Sequence, residues 1–153
     1  MLSQNKASVP ENLISLAKKT SQIPVGIVSA HQEAAMESAK KAFELNLIKP
    51  IFIGNKNGIQ EQAKTLDWDI NSFEIIDQSN DQEAAIIGAQ LARDNEIKVL
   101  VKGNLHTDTL MRAYLKKEFA LIEKRRLSHI WHMTTPNNNK PLFITDGALN
   151  VSP

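Results

Sequence analysis

The sequence predicts an α/β fold: three layers, α/β/α, around a mostly parallel sheet. Three observations carry that prediction. Short β-branched or apolar runs recur at 25–28, 51–53, 73–76 and 97–101, as expected of strands covered on both faces. The segments between them repeat their apolar residues every three or four positions, which is the helical period. Strand and helix alternate at regular spacing, so the connections are right-handed βαβ units and the strands run parallel.

Taken in order, Ser8-Val9-Pro10-Glu11 reads as a helix start, with Ser8 and Glu11 at capping-box spacing and Pro10 in the first turn. Leu13, Leu16 and Ala17 form a narrow apolar stripe behind it, and Pro24 ends the helical pattern. The first strand is Val25-Gly26-Ile27-Val28. Ser29 and Gln32 repeat the capping-box spacing ahead of a helix to about Leu45, with Ala35, Ala39, Ala42 and Phe43 on one face. Pro50 begins the second strand, which Gly54-Asn55 closes, and Ile59, Ala63 and Leu66 mark the next helix. The third strand, Phe73-Glu74-Ile75-Ile76, is interrupted by Glu74 and ends in a turn at 77–80. Ala84, Ile87, Gly88 and Leu91 give the following helix its inner face, and Asn95 is placed just past its end, at C′. The fourth strand follows at 97–101. Beyond it the rhythm changes. Two strand-like runs, 128–134 and 142–145, are joined by a polar loop and read as neighbours, one antiparallel to the main sheet.

Composition bounds the function. A chain of 153 residues is expected to form one α/β domain, with about 1–24 an N-terminal helix, 25–126 the βαβ units and 127–146 a strand pair. Such a length buries about 68–70% of the unfolded surface, enough for a core. The apolar fraction of 42% with 23% charged residues is globular. A net charge of +1 gives no bulk electrostatic case for nucleic acid or an anionic membrane. The absence of cysteine excludes disulfides, thiolate metal sites and a cysteine nucleophile, and fits a cytoplasmic location. The start of the sequence shows no signal-peptide pattern, and the longest largely apolar run, 84–92, is too short to span a bilayer.

The most informative stretch is Lys102-Gly103-Asn104-Leu105-His106-Thr107-Asp108-Thr109-Leu110-Met111-Arg112. It leaves the fourth strand through Gly103, which permits backbone angles closed to other residues. Thr107 reads as the N-cap of a helix to about Lys117. A strand, a polar turn and a helix start present free N–H groups and a positive dipole end to an anion. His106, Lys102 and Arg112 add possible donors. The plainer reading pairs Asp108 with Arg112 on a solvated helix face and leaves His106 as a turn residue. In parallel sheets ligands lie beyond the carboxyl ends of the strands. Here those ends are 29–31, 54–55, 77–79, 102–107 and 146–147, all polar or small.

Other chemistries fit poorly. His129 and His132, three apart in a strand, face opposite ways and do not chelate one ion, so no metal site is expected. Ser128 and His129 are strand neighbours and face apart, which excludes a nucleophile–base pair. The dinucleotide fingerprint and the Walker loop are absent. Lys116-Lys117 and Lys124-Arg125-Arg126 form a local basic cluster. It reads as a solvated surface or as a partner for nucleotide-like phosphates. RNA is disfavoured, because the cluster has no aromatic neighbours beyond Tyr114 and Trp131.

The run Lys-Gly-x-x-His-Thr-Asp followed by Leu-Met-Arg-Ala resembles the phosphate acetyltransferase/phosphate butyryltransferase family. Arg125-Arg126-Leu127-Ser128-His129 and Pro141-Leu142-Phe143-Ile144-Thr145-Asp146 agree with it. The resemblance implies a fold of the isopropylmalate-dehydrogenase type, with the active site in a cleft between two α/β domains. It implies transfer of an acyl group between coenzyme A and inorganic phosphate, with acyl-CoA and phosphate as substrates and no tightly bound cofactor. By resemblance Lys102, Gly103, Asn104, His106, Thr107 and Arg112 line that cleft, and Ser128 and Asp146 stand near the same wall. The chain ends at Pro153, where family members continue. It is therefore expected to match only their N-terminal portion, a truncated version of the fold. The residues assigned to catalysis in the family lie in the later half and have no counterpart here.

Two functional readings follow. In one, the chain is a phosphate acyltransferase homologue that supplies the CoA- and phosphate-binding wall, completed by a missing C-terminal half. In the other, it is a non-catalytic acyl-CoA- or phosphate-binding domain, or a degenerate remnant, stabilised by self-association because an open sheet edge needs covering.

Overall fold

The computed structural model describes residues 9–122, 127–134 and 141–145. In chain order the elements are α1 (Glu11–Ala17), β1 (Ile23–Val28), α2 (Glu33–Glu44), β2 (Ile48–Gly54), α3 (Lys56–Thr65), β3 (Glu74–Asp77), α4 (Asp81–Arg93), β4 (Val99–Lys102), α5 (Thr107–Tyr114), a 3-10 turn at Lys117–Phe119, β5 (Ile130–Thr134) and β6 (Pro141–Thr145). The chain divides into two units: Thr20–Leu121, and Met1–Lys19 together with Ile122–Pro153.

The larger unit is built on a four-stranded sheet in the order β3-β2-β1-β4, parallel throughout. Successive strand residues face opposite layers. Val25, Ile27 and Phe52 pack with Met36 and Ala39 of α2 and Ile59 and Ala63 of α3. Val28 and Ile53 pack with Ala84, Ala85 and Ala89 of α4 and Ala113 of α5. The fold is thus the predicted α/β/α sandwich. On the α2/α3 side an aromatic nest fills the layer: Phe43 meets Phe73 edge-on at 4.8 Å and Phe52 meets Trp68 edge-on at 5.7 Å between ring centres. The α4 side is thin instead. Its inner face is Ala84, Ala85, Gly88 and Ala89, and a Cβ on Gly88 would lie 2.8 Å from Leu100 and 2.9 Å from Val28.

Three helices end alike. Asn46, Asp67 and Asn95 take positive φ (65°, 48° and 62°). After α4, Asn95 N–H donates to Ala92 and Glu96 N–H to Leu91, so Asn95 is the C′ residue of a Schellman motif, as the sequence predicts. The same pairs of bonds close α2 and α3.

Several local readings are corrected. Strand β2 begins at Ile48, two residues before Pro50. Proline is tolerated there because β3 pairs only from Ile51 onward. Ser29 is not a helix cap: α2 starts at Glu33 with Gln32 as N-cap. In helix α5 the N-cap position is His106, with no side-chain capping bond, and Thr107 is the first helical residue; the helix ends at Tyr114 rather than Lys117. Ser8 lies outside the described residues, and α1 is preceded by Pro10 as N-cap, not by a capping box.

In the smaller unit β5 and β6 pair antiparallel with each other, from Ile130↔Thr145 to Thr134↔Pro141. They form a sheet of their own, so neither adds to the parallel sheet as the sequence had implied. Ile130, Trp131, Met133, Leu142, Phe143 and Ile144 are all exposed on this pair.

Candidate functional site

The sheet order places a topological switch between β1 and β4. From β1 the chain steps outward through β2 to β3, then returns to the other side of β1 as β4. In open α/β sheets the crevice beyond the carboxyl ends at such a point is where ligands bind. The two junctions flanking it are β1→α2 and β4→α5.

The β4→α5 turn is fixed from beneath by β1. Gly103 N–H donates to Val28 O at 2.7 Å and Asn104 N–H to Ser29 O at 2.8 Å. Glycine at 103 is needed for closeness, not for unusual angles. Among the described glycines the positive φ belongs to Gly54, whereas a Cβ on Gly103 would sit 2.6 Å from Val28 O and against Ser29 O. Leu105 is buried and anchors the turn. The Lys102 ammonium folds back onto the turn, donating to Leu105 O at 2.8 Å and Gly103 O at 3.2 Å.

Asn104 and His106 are exposed at the front of the turn. No side chain caps α5, and the His106 carbonyl accepts from Thr109 and Leu110. Arg112 stands in the second turn of α5 and meets Asp108 at 3.5 Å, with its side chain 84% exposed, as in the plainer sequence reading. It lines a groove of about 310 Å³ with Gln82, Ile86, Asp108 and Lys116. Ser128 is exposed ahead of β5. Asp146 lies outside the described residues, as do Arg125 and Arg126 of the basic cluster.

The β1→α2 junction, which the sequence placed at the ligand edge, gives its residues contacts that the sequence did not show. Ser29 is buried, has φ 53°, and donates from Oγ to Asp81 Oδ1 at 2.6 Å. His31 packs on the first turn of α3, where a Cβ on Gly58 would be 3.0 Å from its own Cβ. Its Nε2 lies 3.5 Å from Asn104 Nδ2, and its Nδ1 is buried without a hydrogen-bond partner. Further along the edge Asn55 Nδ2 donates to Ser79 Oγ at 3.0 Å, and Lys56 N–H to Asp77 Oδ1 at 3.0 Å. The strand ends were legible as polar, but these pairings depend on which strands are neighbours.

The four junctions differ in their caps. Asn55 accepts from Gly58 N–H at the start of α3, and Asn80 accepts from Gln82 and Glu83 N–H at the start of α4. The starts of α2 and α5, which flank the switch, have no side-chain cap. Their first-turn amides are the groups an anion satisfies. Among the described residues no group of three or more metal-ligating side chains is found, and no helix is long and apolar enough to cross a membrane.

No protein-family model matches the chain. It is 36% identical over 142 residues to the phosphate acetyltransferase of Rickettsia prowazekii, covering 93% of this chain and 40% of that protein. It is 30% identical over 143 residues to the phosphate butyryltransferase of Clostridium beijerinckii, covering 94% and 47%. Among solved structures it resembles a branched-chain phosphotransacylase from Enterococcus faecalis (TM-score 0.66, 25% identity, 86% of this chain and 45% of that one). A phosphotransacetylase from Streptococcus pyogenes shares the fold (TM-score 0.68, 14% identity, 90% and 51%). The family likeness read from the sequence is borne out, and the chain spans less than half the length of these curated relatives, in keeping with the portion expected.

Proposed function

We propose that this homologue of phosphate acetyl- and butyryltransferases forms the phosphate- and CoA-binding wall of a phosphate acyltransferase. The reaction is acyl-CoA plus phosphate to acyl phosphate plus coenzyme A. The observation that carries this reading is the placement of the 102–107 turn at the β1/β4 switch, ahead of a helix whose start has no side-chain cap. Both substrates are anions. Amides at the start of α5, with His106 and Asn104 beside them, suit a phosphoryl oxygen. Gly103 lets the turn lie close to β1, and Lys102 holds it closed. Thr107 opens the helix. Arg112, one turn further on, suits a second anionic group along the α4/α5 groove. Ser128 and Asp146 belong to the same proposal through the family likeness, as do the two-domain cleft of the isopropylmalate-dehydrogenase type, a cytoplasmic location and self-association.

None of these residues is assigned a bond-making role. The alternative is a non-catalytic acyl-CoA- or phosphate-binding domain. One observation favours it: the hydroxyl at the switch, Ser29, is buried and already bonded to Asp81, so it is not presented to a substrate. Release of free thiol from acetyl-CoA or butyryl-CoA in the presence of phosphate, measured on the purified chain, separates the two. Turnover supports the acyltransferase. Saturable binding of phosphate and CoA without turnover supports the binding domain. Failure of both ligands to bind overturns both.

A further inference from the structure

We infer that Ser29 and Asp81 form a positioning pair that sets the geometry of the 102–107 turn, an inference that rests on the proposed anion site. Ser29 is the one buried polar residue of the described core, and its φ of 53° falls in the region that side chains other than glycine rarely adopt. That conformation must be held by its surroundings. Its N–H donates to Ile53 O at 2.7 Å and its carbonyl accepts Asn104 N–H at 2.8 Å. One residue thus ties β2, β1 and the β4 exit together. Gly103 rests directly on the Val28 and Ser29 carbonyls, so a rotation at Ser29 moves 103 and 104 with it.

The hydroxyl supplies the lock. At 2.6 Å, Ser29 Oγ to Asp81 Oδ1 has the length of a charge-assisted bond. Asp81 sits in the first turn of α4, where the dipole favours its charge. Asn80 caps that helix, which leaves the Asp81 carboxylate free for Ser29. Ser29, on whose carbonyl the turn rests, is therefore held by a residue 52 positions away from it in sequence. Neither residue touches the anion; both act through the backbone of Gly103 and Asn104.

The test uses amide spectra and phosphate titrations of the chain with S29A, D81A, D81N and the S29A/D81A double substitution. The expected result is displacement of the Gly103 and Asn104 amide signals in S29A and D81A. Phosphate affinity falls about tenfold in each, as for loss of a hydrogen bond to a charged group. The double substitution falls no further, and D81N, which still accepts, stays within about threefold of wild type. If S29A does not fold, S29G serves, because glycine takes φ 53° without strain while the hydroxyl is still deleted. Unmoved Gly103 and Asn104 signals in folded S29A and D81A overturn the pair. Additive losses in the double substitution overturn it as well. Moved signals in a chain that binds neither phosphate nor coenzyme A leave the pair standing and overturn the proposed function instead.

Discussion

The two sides of the sheet's front edge treat their helix starts differently. At β2→α3 and β3→α4 an asparagine accepts the first-turn amides. At β1→α2 and β4→α5 the N-cap residues are Gln32 and His106, and neither side chain caps. The first pair of junctions is internally satisfied and serves stability. The second pair leaves donors open at the point where the strand order reverses, and it forgoes the roughly 1 kcal/mol that a cap supplies. Stability and binding draw on the same amides, so a junction serves one or the other.

That contrast can be tested by substitution. The largest effect is expected at Gly103→Ala, where the new Cβ meets two backbone carbonyls that cannot move aside. Chemical denaturation should show a loss of about 3 kcal/mol, and phosphate binding should disappear with the turn. Asn80→Ala should cost about 1 kcal/mol by the same measurement, because Gln82 and Glu83 lose their shared acceptor. Phosphate affinity should fall less than stability suggests. His106→Asp should reverse the trade. A carboxylate capping α5 should raise stability by about 0.5–1 kcal/mol and weaken phosphate binding about tenfold in a calorimetric titration. Unchanged phosphate binding in that variant would break the comparison. The smallest effect is expected at Asp108→Ala. The solvated i,i+4 pair with Arg112 is worth no more than about 0.5 kcal/mol, and Arg112 is then free to meet an anion.

Much of this architecture was readable from local pattern. The strand runs, the helical periods and the C′ asparagine at position 95 are short-range signals, and the structure reproduces them. The 102–107 turn was also locatable, because a strand exit followed by a helix start is a local feature. What escaped depends on distant neighbours. Ser29 has cap spacing with Gln32, but contact with Asp81 outcompetes the local role. The need for Gly103 lies in the proximity of β1, which no local angle preference reveals. On α4 the periodicity picked out Ala84, Ile87, Gly88 and Leu91; Ala84 and Gly88 are buried as read, but the other deep positions are Ala85 and Ala89, with Ile87 and Leu91 only partly buried. Small side chains approach a sheet most closely, and a hydrophobicity pattern undervalues them. The β5–β6 pairing was visible, whereas its separation from the parallel sheet was not, since an apolar run does not say which strand it joins.

The bare face of α4 has a consequence at its far end. With small residues at its deepest positions, Ala84, Ala85, Gly88 and Ala89, the helix approaches Val28 and Leu100 closely, and its first turn holds Asp81 within 2.6 Å of the Ser29 hydroxyl. Interior volume and frontal chemistry are in this way one variable. A methyl added at Gly88 meets the ends of the Leu100 and Val28 side chains, and any rise of the rod that follows draws the carboxylate at its tip away from a hydroxyl it never neighbours in sequence.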